Sequence, residues 1–175
     1  MTPSSVPVHS SPDNRTHGDT IQVVEFFLGN RHFAIDLFDV REVVEYTTIT
    51  TLPSTPPWVR GIIDLRGEIT VIVDLRGKLG ITETSDIPEE DRRIIVLDEK
   101  VMGKKIGILV DDVTSVSTFE ATQVDRDQDT LLNGGSSATI LGIIKKRDRD
   151  KDGDQNELII WIDVRKLLED ISGIC

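Results

Sequence analysis

Three arginines, Arg60, Arg66 and Arg76, punctuate one apolar stretch from Val59 to Arg76, and their type and spacing suit recognition rather than reaction. A guanidinium offers a rigid fork of donors matched to a carboxylate or to backbone oxygens. Catalysis has less to draw on. The sequence contains no P-loop, GxSxG, HExxH or CxxC pattern. His32 stands beside Gly29-Asn30 with no Ser or Cys partner in reach of the pattern, and His9 and His17 have no third ligand near them. With 31 acidic residues, paired carboxylates occur throughout and single out no acid–base couple. These residues describe a chain that is not an enzyme and needs no cofactor.

One run does have the grammar of a metal site. Asp148, Asp150, Asp152 and Asp154 alternate, with Gly153 following the third, as in the first half of a calcium loop. The twelfth position of such a loop should carry a bidentate Glu, and here it is Ile159; the flanks read as strands, and Lys145, Lys146, Arg147, Arg149 and Lys151 dilute the negative charge. The two readings are a calcium site and a solvated insertion. The Asp125–Asp129 run lacks the glycine and reads as a loop.

The arginines need an element to hold them. Ile62-Ile63 and Ile69 to Val73 are β-branched runs joined through Gly67, which predicts a β-hairpin with Arg66 at its tip, Arg60 and Gly61 at its entrance and Asp74-Leu75-Arg76 at its exit. The pattern returns. Gly61-Ile62-Ile63 reappears 81 residues on as Gly142-Ile143-Ile144, and Ile72 to Arg76 reappears 89 residues on as Trp161 to Arg165. The difference requires eight extra residues at the second tip. Ala34 to Val40 also matches Gly107 to Val113 at an offset of 73. Matches that keep their order predict a duplicated unit.

Composition bounds the partners. A net charge of −11 repels phosphate backbones and anionic membranes, and no apolar run approaches the roughly 20 residues that span a bilayer. The N-terminus lacks a signal-peptide pattern, and the lone Cys175 excludes an internal disulfide framework, so a cytoplasmic protein is expected. Residues 1–20, rich in Pro and Ser, read as a disordered tail, and 21–171 as the folded part, with approximate halves 21–91 and 92–171.

Strands are expected over Ile21–Leu28, His32–Asp36, Ile49–Leu52, Arg93–Leu97, Lys105–Val110, Thr139–Ile144 and Leu158–Asp163. Leu37 to Glu45 fits either a short helical turn or a bulged strand, and Val164–Ile171 a closing helix with Asp163 as its N-cap. Many short strands punctuated by Gly and Pro predict an all-β chain of small barrels.

With those residues in view, the chain resembles the CheW family of chemotaxis coupling proteins. The resemblance runs from Ile21 to Ile171 and rests on Phe33-Ala34-Ile35-Asp36, Val40-Arg41-Glu42-Val43, Arg60 to Gly67, Val73 to Arg76 and Ile106 to Val113. The family usually has Asn where Asp64 stands, and the Asp148–Gln155 run is a larger departure. The resemblance implies two five-stranded SH3-like barrels packed on a shared core. It implies a scaffold at receptor arrays, bridging the cytoplasmic tips of methyl-accepting chemoreceptors to the regulatory domain of the histidine kinase CheA. It places Leu37, Val40, Glu42, Gly61 and Arg66 on partner-binding positions, with Ile94, Gly107 and Val113 on similar positions in the second half. Core packing is the competing reading for the apolar four, and a bulge or close strand approach for the glycines. The alternative function is a calcium-responsive protein-binding module on the same fold.

Overall fold

The computed structural model describes residues 20–126, 139–147 and 156–169. They form two sheets. The six-stranded sheet has the order β8-β1-β2-β11-β10-β9, built from β1 (Thr20–Leu28), β2 (Arg31–Asp36), β8 (Asp112–Glu120), β9 (Val124–Asp125), β10 (Ile140–Arg147) and β11 (Asn156–Ile162). The five-stranded sheet has the order β3-β6-β7-β5-β4, built from β3 (Val40–Glu45), β4 (Val59–Leu65), β5 (Glu68–Val73), β6 (Arg93–Leu97) and β7 (Ile106–Val110). The all-β class holds, with six and five strands rather than five and five; the extra one is the two-residue β9. One short helix, α1 (Val164–Leu167), follows, and no helix among the described residues is long and apolar enough to cross a membrane.

The register confirms the duplication and reveals how its copies interlock. Phe33 and Ala34 of β2 pair in parallel with Ile160 and Trp161 of β11, while Ile106 and Gly107 of β7 pair in parallel with Val71 and Ile72 of β5. These are the same pairs displaced by 73 and 89 residues, the offsets visible in the sequence. The strand orders also superpose, β8-β1-β2-β11-β10 onto β3-β6-β7-β5-β4. Each sheet therefore combines the opening hairpin of one repeat with the later strands of the other. The expected halves, 21–91 and 92–171, do not coincide with the sheets, because β1–β2 sits among strands of the second half and β6–β7 among strands of the first.

Alternation along the strands sorts side chains between three cores. Val24, Phe26, Leu28, Phe33, Ile35, Ile95, Leu97, Ile106 and Ile108 meet in one cluster shared by the two sheets. Ile21, Val23, Ala34, Ile144, Ile159 and Trp161 fill the interior of the six-stranded sheet. Ile63, Ile72, Ile94, Val96 and Leu109 fill that of the five-stranded sheet.

The repeated Asp-x-Arg motif has a structural task at both crossovers between sheets. Asp74 Oδ1 accepts from the Arg76 backbone N–H at 2.9 Å, and Asp163 Oδ1 accepts from that of Arg165 at 3.1 Å, so Asp163 is the N-cap of α1 as expected. The guanidinium of Arg76 then grips Asp111, where the chain leaves β7 for β8, and that of Arg165 reaches Asp39 at 3.3 Å, where it leaves β2 for β3. Both acids are buried. Burying a carboxylate without a partner is expensive, so each arginine keeps a crossover folded in place.

Two expectations change. Leu37–Asp39 is a 3-10 turn and Val40–Glu45 a strand with a register shift between Val40 and Glu42, so both readings of that segment apply in succession. Ile49–Leu52 is not a strand: it reduces to one bridge, Thr50 to Ile62, before Pro53, Pro56 and Pro57 prevent further pairing. The Asp148–Asp154 run, with the calcium reading attached to it, lies outside the described residues.

Candidate functional site: a charged cleft on the five-stranded sheet

Arg66 and Gly67 are the two-residue tip between β4 and β5, flanked by the pair Leu65–Glu68. Both tip residues have positive φ, +52° and +85°, as the tight turn that matches strand twist requires. Asp64 Oδ1 braces the turn by accepting from the Gly67 backbone N–H at 2.7 Å. Glycine adopts this conformation freely; an arginine seldom does. A non-glycine residue held there points to a demand on its side chain.

That side chain meets Glu42. Arg66 Nη2 lies 2.8 Å from Glu42 Oε1 and Arg66 Nη1 lies 3.0 Å from Glu42 Oε2, a parallel two-pronged contact. The hydrogen bonds and charge of Glu42 raise the Arg66 pKa above its ordinary value. Lys105 pairs with Glu68 next to it and lies 3.6 Å from Glu99. The hydrogen bond and charge of Lys105 lower the Glu68 pKa. Arg41 Nε approaches Glu42 at 4.0 Å. Arg41, Glu42, Arg66, Glu68 and Lys105 line a cleft of about 230 Å³ together with Leu65, Thr70 and Val96. Its ionic groups alternate in sign, which fixes orientation at a protein surface more than it supplies reactive chemistry.

The sequence-predicted residues divide by burial. Glu42 and Arg66 come together in the cleft, and the carboxylate that occupies the Arg66 fork belongs to this chain. Leu37, Val40 and Val113 are half-buried, packed on the rim of the shared core at the two crossovers. Ile94 is wholly buried inside the five-stranded sheet, in keeping with the packing alternative of its two readings. The glycines follow it. A Cβ on Gly107 would stand 2.8 Å from Ile94 Cγ2, and one on Gly61, at φ +142°, would stand 2.1 Å from the Thr50 carbonyl oxygen. Both positions are reserved for close strand approach.

Sequence reasoning passed over Lys105 and Glu68, and also the exposed apolar residues Phe38, Ile69, Val116 and Leu158. The signal for some of these was present. The offset of 89 carries Ile69 onto Leu158 and the offset of 73 carries Val43 onto Val116, all four exposed. Apolar residues exposed at matching places in both repeats are unlike scattered surface leucines.

Comparison with known proteins agrees with this architecture. The CheW-like domain family matches residues 22–172. The chain is 30% identical over 155 residues to the chemotaxis protein CheW of Klebsiella aerogenes, covering 86% of this chain and 84% of that protein. It is 28% identical over 151 residues to the CheW of Thermotoga maritima, covering 86% and 89%. The crystal structure of the scaffolding protein TtCheW from Thermoanaerobacter tengcongensis superposes with a TM-score of 0.69 at 31% identity, over 88% of this chain and 91% of that one. The duplicated two-sheet architecture, the ordered motifs and these relatives place the chain in the CheW family of chemotaxis scaffold proteins.

Proposed function

We propose that this chain is a non-enzymatic adaptor coupling the cytoplasmic tips of transmembrane chemoreceptors to the regulatory domain of the histidine kinase CheA, at receptor arrays on the inner face of the membrane. The observation that carries the reading is the Arg66–Glu42 pair, held at an exposed turn in a backbone conformation costly for arginine, in a chain of the CheW family. The cleft contributes orientation, through ion pairs of alternating sign. The half-buried Leu37, Val40 and Val113 contribute apolar area along the crossovers. Individual contacts in such an assembly are modest, and retention in the array rests on engaging two partners at once.

Because each partner of the ion pair already satisfies the other, the two residues should behave as one element. Arg66→Ala and Glu42→Ala are each expected to weaken binding to a CheA regulatory domain about tenfold, and the double substitution by no more than either alone. Calorimetric titration of the four proteins, with melting curves alongside, checks this. Wild-type protein that fails to bind a kinase from the same source would refute the coupling role. Additive losses would mean that the residues contact the partner separately.

A further inference from the structure

In each sheet, strands of the two repeats meet along a short parallel seam: β2 with β11, and β7 with β5. At the end of each seam a basic residue faces a glutamate. His32 faces Glu157 in the six-stranded sheet, and Lys105 faces Glu68 in the five-stranded sheet. The repeat offsets, 73 and 89, carry His32 onto Lys105 and Glu157 onto Glu68. The two seams are thus closed by the same contact in the same place, with one chemical difference. An ammonium stays charged through neutral pH, whereas imidazole is the side chain whose charge changes between about pH 5 and 8.

The surroundings of His32 make that difference matter. The His32 side chain is 6% exposed. Its Nδ1 lies 2.7 Å from Glu157 Oε1, and its Nε2 lies 3.1 Å from Glu25 Oε1 and 3.4 Å from Thr114 Oγ1. A neutral imidazole has one N–H and one lone pair, so it can donate to one of these carboxylates and must turn a lone pair towards the other. Glu25 is fully buried on β1 and cannot withdraw into water. It also accepts from Ser115 Oγ at 2.8 Å and from Ser117 on β8, and lies 3.3 Å from Lys146 Nζ on β10. Phe27 stacks on the imidazole with ring centroids 4.4 Å apart. The charged groups in direct contact with the ring are Glu25 and Glu157, with Lys146 behind Glu25, and Arg31, Asp125 and Lys145 line the cavity that His32 borders.

We propose that the seam of the six-stranded sheet is operated by a proton: His32, protonated on both nitrogens, clamps β2 to β1 and β11, and loss of one proton loosens the β2–β11 pairing while the Lys105–Glu68 seam stays closed. The five-stranded sheet supplies an internal reference in the same molecule.

Amide hydrogen exchange of the full-length protein, resolved by NMR from about pH 5 to about pH 8, tests this after correction for the intrinsic rise of exchange with pH. Protection of Phe33, Ala34, Ile160 and Trp161 should fall about tenfold or more relative to that of Val71 to Val73 and Ile106 to Ile108, the scale of one charge-assisted hydrogen bond. His32→Lys should abolish the difference by making the first seam chemically like the second. An equal response in both seams, or a response that persists in His32→Lys, overturns the proposal. Should that variant not fold, Glu157→Gln keeps an acceptor for Nδ1 and removes one of the two charges; the response must then shrink, and an unchanged response overturns the proposal equally.

Discussion

At the scale of single residues, Glu25 is a wholly buried carboxylate held by hydrogen bonds and charge. Burial alone would raise its pKa, but hydrogen bonds from Ser117 and Ser115 and the charge of Lys146 outweigh it, and the carboxyl titrates below its ordinary value of 4.5. The folded state thus holds the ionised form more strongly than the unfolded chain does. Its contribution is complete above the unfolded value and is lost as pH falls from there through the lower folded one. Glu25→Gln is expected to be less stable than wild type by about 1–3 kcal/mol near neutrality, with the gap closing in acid; urea unfolding at several pH values measures both. None of this was visible in the sequence, where Glu25 is one of two polar letters, with Gln22, inside the largely apolar run Ile21–Leu28. Its serine and lysine partners come from β8 and β10, about 90 and 120 positions away, and local pattern says nothing about them. Arg66 and Glu42 were legible because turn chemistry located one and family motifs the other. That they occupy each other was not, since a cross-sheet pair depends on tertiary register.

At the scale of elements, hairpins were the most legible feature because their signals are local. Gly29-Asn30 joins β1 to β2, and Arg66-Gly67 joins β4 to β5. Edges were the least legible. The strand expected at Ile49–Leu52 is a cover for the open side of β4, fastened where Gly61 lets the Thr50 carbonyl approach: the Ile62 N–H donates to Thr50 O at 2.9 Å, and the Thr50 N–H to Ile62 O at 2.9 Å. Gly61→Ala combines a positive φ with a Cβ placed against backbone, so neither strain nor clash can be relieved by a rotamer. A loss of about 3 kcal/mol or more is expected, read as a lower denaturant midpoint, with the Thr50 and Ile62 amides losing protection first. A midpoint within experimental error of wild type would show that the cover contributes nothing to folding.

Over the whole molecule, the duplication was readable from offsets alone, while the exchange of hairpins was not. Sequence order suggests that each repeat closes on itself. Yet β1–β2 is completed by β8, β10 and β11, and β6–β7 by β3, β4 and β5. The reason is geometric: the crossovers at Asp39 and Asp111 carry the chain from one sheet to the other after each opening hairpin, and the sequence around them records only an acid and a turn. If the chain is cleaved within the 82–92 loop, neither fragment should unfold cooperatively alone, and an equimolar mixture should recover the spectrum of the intact protein. Circular dichroism and NMR of the separate and mixed fragments decide it; a fragment that folds by itself would contradict the reciprocal pairing.

That exchange also carries a statement about ancestry. A chain made of one repeat would own a hairpin that fits only in a neighbour's sheet, and would reach a complete fold by lending that hairpin to a second copy and receiving one in return. The simplest precursor is therefore a swapped homodimer, whose folding depends on its concentration. Joining two copies end to end makes the same fold independent of dilution. It also releases the copies from identity, so that one seam can carry a lysine and the other a histidine.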